Sequence, residues 1–202
     1  MTIVYAGPER ALRSLRADWN RERWEQLPDD GHRYEVIDGV LYMTTAPSAF
    51  HQWIVRQIVR AFFAQIDDQH FGVTFWAPIG VFMPGCDPVQ PDILVVRTAN
   101  LGIIHDRRIH GVPDLIVEVV SPSNAEQDLE IKYRAYARAA VPEYWIVRPA
   151  ERDVILCSEP DPVAGLFKNV DTIPPDGTLI SPTLPIQANI ADFFANAPDT
   201  ML

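Results

Sequence analysis

The chain has 202 residues, 48% hydrophobic and 22% charged, and a formal net charge of -10; that is enough apolar material for one sizeable core and argues for a single domain over 1–202. No run of about 18 apolar residues occurs and the N-terminal stretch has no leader-like apolar core, so the expectation is a cytoplasmic protein with no membrane partner. The acidic balance argues against broad adhesion to nucleic acid, because phosphates are repelled, yet it leaves room for a local site where a divalent cation and a few Arg or Lys supply positive charge.

In chain order, "HRYEVIDGVLYMTTAP" reads as two short strands meeting at Asp38-Gly39, a dipeptide suited to a tight hairpin turn. Ser48 then precedes a helical pattern that puts His51, Val55, Ile58, Phe62 and Ile66 on one face. Strand-like runs follow at "GVTFWAP", "IGVFMP" and "QPDILVVR", and after the buried run "PDLIVEVVSPS" comes a helix, then the buried strand "EYWIV". "RDVILCS" and "GLFKNV" suggest further antiparallel strands. The pattern is α/β with a central mixed sheet. Cys86 and Cys157 stand far apart without CxxC spacing, and both read as packed thiols.

Branched aliphatics fill residues 115–120 except at Glu118. An unpartnered carboxylate in a strand buried on both faces costs several kcal/mol, so something must stabilise it. A strand end reaching solvent or a structural ion pair would do so; so would a metal ion or an acid/base role in a cleft. Asp92 opens a second apolar strand. Alternation places Asp92, Leu94 and Val96 on one face, as it does Ile116, Glu118 and Val120. If these strands are neighbours, two carboxylates converge, and their repulsion is relieved by protonation or by a bridging cation. A hard dication suits oxygen ligands, and Mg²⁺ best, because it uses one or two carboxylates and keeps positions for water and substrate phosphate. Removing either carboxylate is then expected to leave the ion-free fold intact or more stable.

Past Glu118, Ser123 and Glu126 have the spacing of a capping box, which starts a helix there. At about 100° per residue Ala125, Leu129, Tyr133, Tyr136 and Ala140 share the arc that faces the sheet, and Lys132 lies on its border. A border lysine can bury its stem and return its ammonium toward Glu118. It can equally be a surface lysine paired with Asp128 one turn earlier. Tyr136 and Trp145 read as core.

Pro91-Asp92, Glu118 within an apolar strand and a lysine nearby resemble the PD-(D/E)xK nuclease superfamily, with its restriction-endonuclease-like fold. The ordered series "YEVIDGVLYMTTAPSAFHQWIV", "QPDILVV", "GVPDLIVEVVSPSNAEQDLEIKYRAYARAAVPEYWIV" and "LISPTLPIQANIADFF" is similar to the Uma-two family of restriction endonucleases, from about His32 to Phe194. The resemblance implies an α/β restriction-endonuclease-like core over about 32–196, a central mixed sheet flanked by helices, with additional antiparallel strands. It implies metal-dependent phosphodiester hydrolysis by a DNA endonuclease, with Mg²⁺ as cofactor and Mn²⁺ as substitute. Asp92 and Glu118 would bind the ion with the Val119 carbonyl. Where the superfamily places its lysine, two residues after the acid, this chain has Val120. The family pattern instead supplies Lys132 from the helix, matches Glu35 to an acidic position in the N-terminal hairpin, and matches His51 and Asp128 as auxiliaries, Asp128 orienting Lys132. Ser121 fits as a loop former.

The segment "RTANLGIIHDRRIH" carries Arg97, His105, Arg107, Arg108 and His110. It could grip phosphates, and a solvated loop explains the same composition. His105 and His110 lack helical spacing and a third ligand in the sequence. The expected partners are nucleic acid, DNA first, and a second copy in a homodimer. The rival readings are a catalytically inactive nucleic-acid- or protein-binding module on the same fold, and a structural homo-oligomer subunit.

Overall fold

The computed structural model describes residues 3–4, 12–44, 46–121 and 127–201. The α/β restriction-endonuclease-like fold expected from the sequence is the one observed. Its centre is a mixed sheet ordered 166–173, 153–161, 143–148, 115–119, 93–97, 72–76, in which Leu115–Val119 runs parallel to Glu143–Arg148 and antiparallel to Ile93–Arg97. The additional strands form a larger sheet, in which the hairpin Arg33–Ile37/Val40–Thr44 continues through Cys86–Val89 and Val81–Met83 to Arg108–His110.

Alternation explains both faces of the central sheet. Ile93, Val95, Leu115, Val117 and Val119 point to one side, where Ala49–Phe62 packs with Ile54, Val55, Ile58, Val59 and Phe62, joined by Phe193 and Phe194 of Ile190–Phe194. Leu94, Val96 and Ile116 point to the other side, toward Tyr136 of the helix Tyr133–Arg138 and toward Ile37, Val81 and Cys86 of the larger sheet. Glu118 shares this second face by its parity. The five buried aliphatic and aromatic side chains of Ala49–Phe62 bring on the order of 10 kcal/mol of apolar burial, which fixes that helix on the sheet. Cys86 and Cys157 are buried free thiols. No helix among the described residues is long and apolar enough to cross a membrane.

Two local signals set the elements that carry the site. Asp38 and Gly39 both have positive φ, 49° and 76°, as the two-residue hairpin turn demands, and a Cβ on Gly39 would meet the Ala17 carbonyl at 2.5 Å. Ser48 caps Ala49–Phe62, its Oγ accepting from the His51 amide at 3.1 Å. The cap thereby fixes where His51 begins its turn.

The segment after Glu118 departs from expectation. Residues 127–132 wind as a π-turn ahead of Tyr133–Arg138, and i→i+5 bonding takes more residues per revolution than the α-helix assumed from the sequence. The buried face slips accordingly. Leu129 is 36% exposed and Ala140 lies past the helix end with φ 62°, whereas Tyr136 is buried and Lys132, placed on the border by the α-helical pattern, is only 4% exposed. Ser123, Glu126 and Ala125 and the Asp128 side chain fall outside the described residues, so the capping box and the orienting role of Asp128 do too.

Candidate functional site

The antiparallel register pairs Ile116 with Leu94 and Val117 with Ile93. One step further sets Glu118 opposite Asp92, so the two acidic residues meet as their parity requires. Asp92 Oδ2 accepts from the Val119 amide at 2.9 Å and from His51 Nε2 at 3.0 Å. The capped helix N-terminus thus lands His51 on the first carboxylate. Glu118 Oε1 accepts from Lys132 Nζ at 2.9 Å and from the Tyr136 hydroxyl at 2.8 Å, both delivered by the π-turn and the helix it leads into. Lys132 Nζ also lies 3.3 Å from Glu35 Oε1, which accepts from the Gln90 amide at 2.7 Å. Two buried carboxylates, Glu35 and Glu118, therefore hold one buried ammonium, with the third, Asp92, on the neighbouring strand.

The electrostatics follow from that count. Burial pushes the Glu118 carboxyl up to about 7, with the Asp92 and Glu35 charges adding to the rise and Lys132 opposing it. Burial also pushes Asp92 up, but the His51 hydrogen bond and charge, the Val119 amide and Lys132 outweigh it, and its net shift is downward. Burial and then the Glu118 charge hold the Tyr136 hydroxyl well above its usual range, so it stays a donor. Among the described residues, Asp92 Oδ1 and Glu118 Oε2 accept no hydrogen bond. Hard oxygen donors with surplus negative charge are the chemistry that a dication such as Mg²⁺ suits.

Residues 21–192 match the Uma2 family, described as "Putative restriction endonuclease". The chain belongs to the Uma2 family. No curated protein matches it. Among solved structures, a crystal structure of a putative nuclease belonging to DUF820 from Anabaena variabilis is similar, with a TM-score of 0.73 at 17% identity, covering 88% of this chain and 98% of that one. At that identity the likeness speaks to the fold.

In this Uma2 chain the structure brings together Glu35, His51, Asp92, Glu118, Val119 and Lys132, and adds Tyr136, which the sequence reading assigned to the core. Tyr136 was half legible: its position on the buried arc was clear, but a phenol on an apolar arc gives no sign of which acceptor it meets. Val119 meets the site through its amide. Arg97 and Arg108 are engaged elsewhere, Arg97 with Asp114 and the Thr183 carbonyl, Arg108 with Glu25 and the rings of Trp24 and Phe82. The third ligand that sequence spacing did not offer His105 and His110 is Asp106, in the turn between them, and the three donors lie within 4.8 Å of one another. The imidazoles, however, are stacked 4.2 Å apart at 10°, and His110 stacks on Phe82 in turn. Lone pairs of parallel rings lie in parallel planes and do not converge on one ion, so the group is built as a stacked column.

Proposed function

We propose that this protein is a metal-dependent phosphodiesterase of the PD-(D/E)xK type, a DNA endonuclease using Mg²⁺ with Mn²⁺ as substitute. The observation that carries this reading is the convergence of Asp92 and Glu118 with a buried lysine 2.9 Å from Glu118. Asp92 and Glu118, with the Val119 carbonyl, would hold the ion. When bound, it supplies Lewis acidity toward the phosphoryl group and lowers the pKa of water. Lys132 orients the attacking water and offsets charge on the phosphoryl oxygens as the new P–O bond forms and the ester P–O bond breaks. Glu35 anchors Lys132, Tyr136 holds Glu118, and His51 holds Asp92 through Nε2, its Nδ1 having no hydrogen-bond partner among the described residues.

One observation favours the inactive binding module: Glu118 and Lys132 are 2% and 4% exposed and satisfy one another, as a purely structural ion pair does. Lys132→Ala separates the two. The nuclease reading expects Mn²⁺ affinity in calorimetry to be retained and single-turnover cleavage to fall by at least about 100-fold, with poor rescue by Lys132→Arg, whose planar guanidinium replaces a compact ammonium. Cleavage by the alanine variant at the parental rate would remove Lys132 from the chemistry.

A further inference from the structure

One flank of the site is unlike the rest of this acidic chain. From residue 39 to residue 66 there is no Asp or Glu, although the protein as a whole carries -10. Within that window Gln52, Arg56, Arg60 and Phe63 recur at spacings of four, four and three, and all four are exposed, so they form the outward face of the helix whose inner face supplies His51. Arg56 stacks over the Trp53 ring at 4.8 Å and Arg60 bonds the Gln57 side chain, which holds both guanidiniums on the surface. At about 1.5 Å per residue they lie roughly 7 Å and 13 Å along the helix from His51.

The same face ends in aromatics. Phe63 meets Trp76 edge to face at 5.7 Å, and these rings are 37% and 49% exposed. Trp76 belongs to Gly72–Trp76, the edge strand of the central sheet; it pairs with Ile93, and the next amide, Ala77, donates to the Asp92 carbonyl at 3.0 Å. A large half-bare indole therefore stands on the strand next to Asp92, on the face that Ile93 and the helix share, while the Asp92 and Glu118 side chains lie on the other face past the end of that short edge strand. For packing alone, an edge position at this exposure needs no tryptophan.

We propose that Trp76, Phe63, Arg56 and Arg60 hold an unpaired strand of nucleic acid that rounds the end of the edge strand toward the Asp92 and Glu118 site, one base stacking on Trp76 while phosphates pass the two guanidiniums. This rests on the reading of that site as a nuclease centre and specifies its substrate class. Stacking on a side chain needs a base with an open π-face, which a single strand or a displaced nucleotide offers and an intact duplex does not. A second copy of this chain is a poorer occupant, because a two-fold contact through this face would set arginines against arginines.

The test is fluorescence anisotropy in chelator at low salt, where nothing is cut, with a labelled oligothymidylate of about 15 nucleotides and a duplex of equal length. The parent binds the single strand more tightly than the duplex. Trp76→Ala weakens the single strand about tenfold or more and leaves the duplex unchanged, Trp76→Phe recovers most of the loss, and Arg56→Ala and Arg60→Ala each reduce the salt slope by about one. Phe63→Ala serves as a second variant should Trp76→Ala melt early. No single-strand binding by the folded parent, equal affinity in Trp76→Ala, or conversion of a dimer to a monomer by that variant in light scattering would overturn the proposal. A parent that binds through Trp76 but never cuts with metal sinks the nuclease reading alone; a parent that cuts while Trp76→Ala binds normally sinks this one alone.

Discussion

Adjacent parallel strands each carry a buried glutamate, and the two are satisfied in different ways. Glu143 opens the strand Glu143–Arg148; its Oε1 accepts from Trp145 Nε1 at 2.5 Å and its Oε2 from the Ser181 hydroxyl at 2.7 Å and from the Thr183 hydroxyl. Neutral donors saturate both oxygens and tie the strand to the 181–184 turn. Glu118 has Lys132 and Tyr136 on one oxygen, like charges from Asp92 and Glu35 around it, and no hydrogen bond to its other oxygen among the described residues. A buried carboxylate is thus no functional sign by itself. What separates the two is surplus charge and an uncommitted oxygen, the state in which a cation is favourable.

Substitution should separate them most sharply. Glu143→Ala strands a buried indole N–H and two hydroxyls, so we predict a loss of about 3 kcal/mol or more, a drop of roughly 6–12 °C in Tm, with unchanged cleavage per folded molecule. Glu118→Gln should do the reverse: Tm at pH 8 equal or higher, Mn²⁺ affinity and cleavage down by about 100-fold or more. Equal destabilisation by the two, seen in parallel melts, would erase the distinction.

pH sharpens it further. The folded Glu118 carboxyl, near 7, stands above its ordinary value of 4.5, so the folded state holds more protons between them. Its contribution is fully present below about 4.5, declines as pH rises, and is lost above about 7, on the order of 3 kcal/mol. Urea unfolding from pH 4.5 to 8 should show that decline in the parent and a flatter profile in Glu118→Gln. Mn²⁺ affinity should rise over the same range, since binding displaces the proton.

Asp92 refines the sequence expectation that either carboxylate can be removed without loss. Its removal orphans the buried Val119 amide and His51 Nε2, so Asp92→Ala should cost about 2 kcal/mol where Glu118→Gln costs none. A stabilised Asp92→Ala in chelator melts would show that repulsion, rather than these bonds, dominates. The smallest effect is expected from Tyr136→Phe: about 1 kcal/mol, with the Glu118 transition moved to higher pH for want of a donor.

What the sequence disclosed of this arrangement follows from regularity. Strand parity forecast that Asp92 and Glu118 would meet, the α-helical period put His51 on the inward face, and Asp38-Gly39 announced the hairpin that carries Glu35. Each rests on a fixed repeat or a residue with one conformational use. Lys132 was half legible: the α-helical period put it on the border, able to reach Glu118 or to pair with Asp128 at the surface, and the family resemblance chose between the two, because the π-turn that rotates it inward breaks the period on which a facing argument depends. Glu143 and Trp76 gave no signal, since a strand-end glutamate is ordinarily solvated and a strand tryptophan ordinarily core; their hydroxyl partners and free edge come from distant parts of the chain.

The central claim is that the Glu118 cluster, unlike the Glu143 cluster, is a metal-dependent nuclease centre. Supercoiled DNA, linear duplex, single-stranded DNA and RNA should be incubated separately with the parent and with Asp92→Ala protein purified in parallel, at millimolar Mg²⁺ or Mn²⁺ and low ionic strength, where repulsion from a -10 chain is bridged by the ion and the arginines. The account predicts cleavage that appears with metal, vanishes in chelator and is absent from the variant. Equal nicking by parent and variant, or no cleavage of any substrate by a parent that binds Mn²⁺, would contradict it and leave the inactive binding module as the better description.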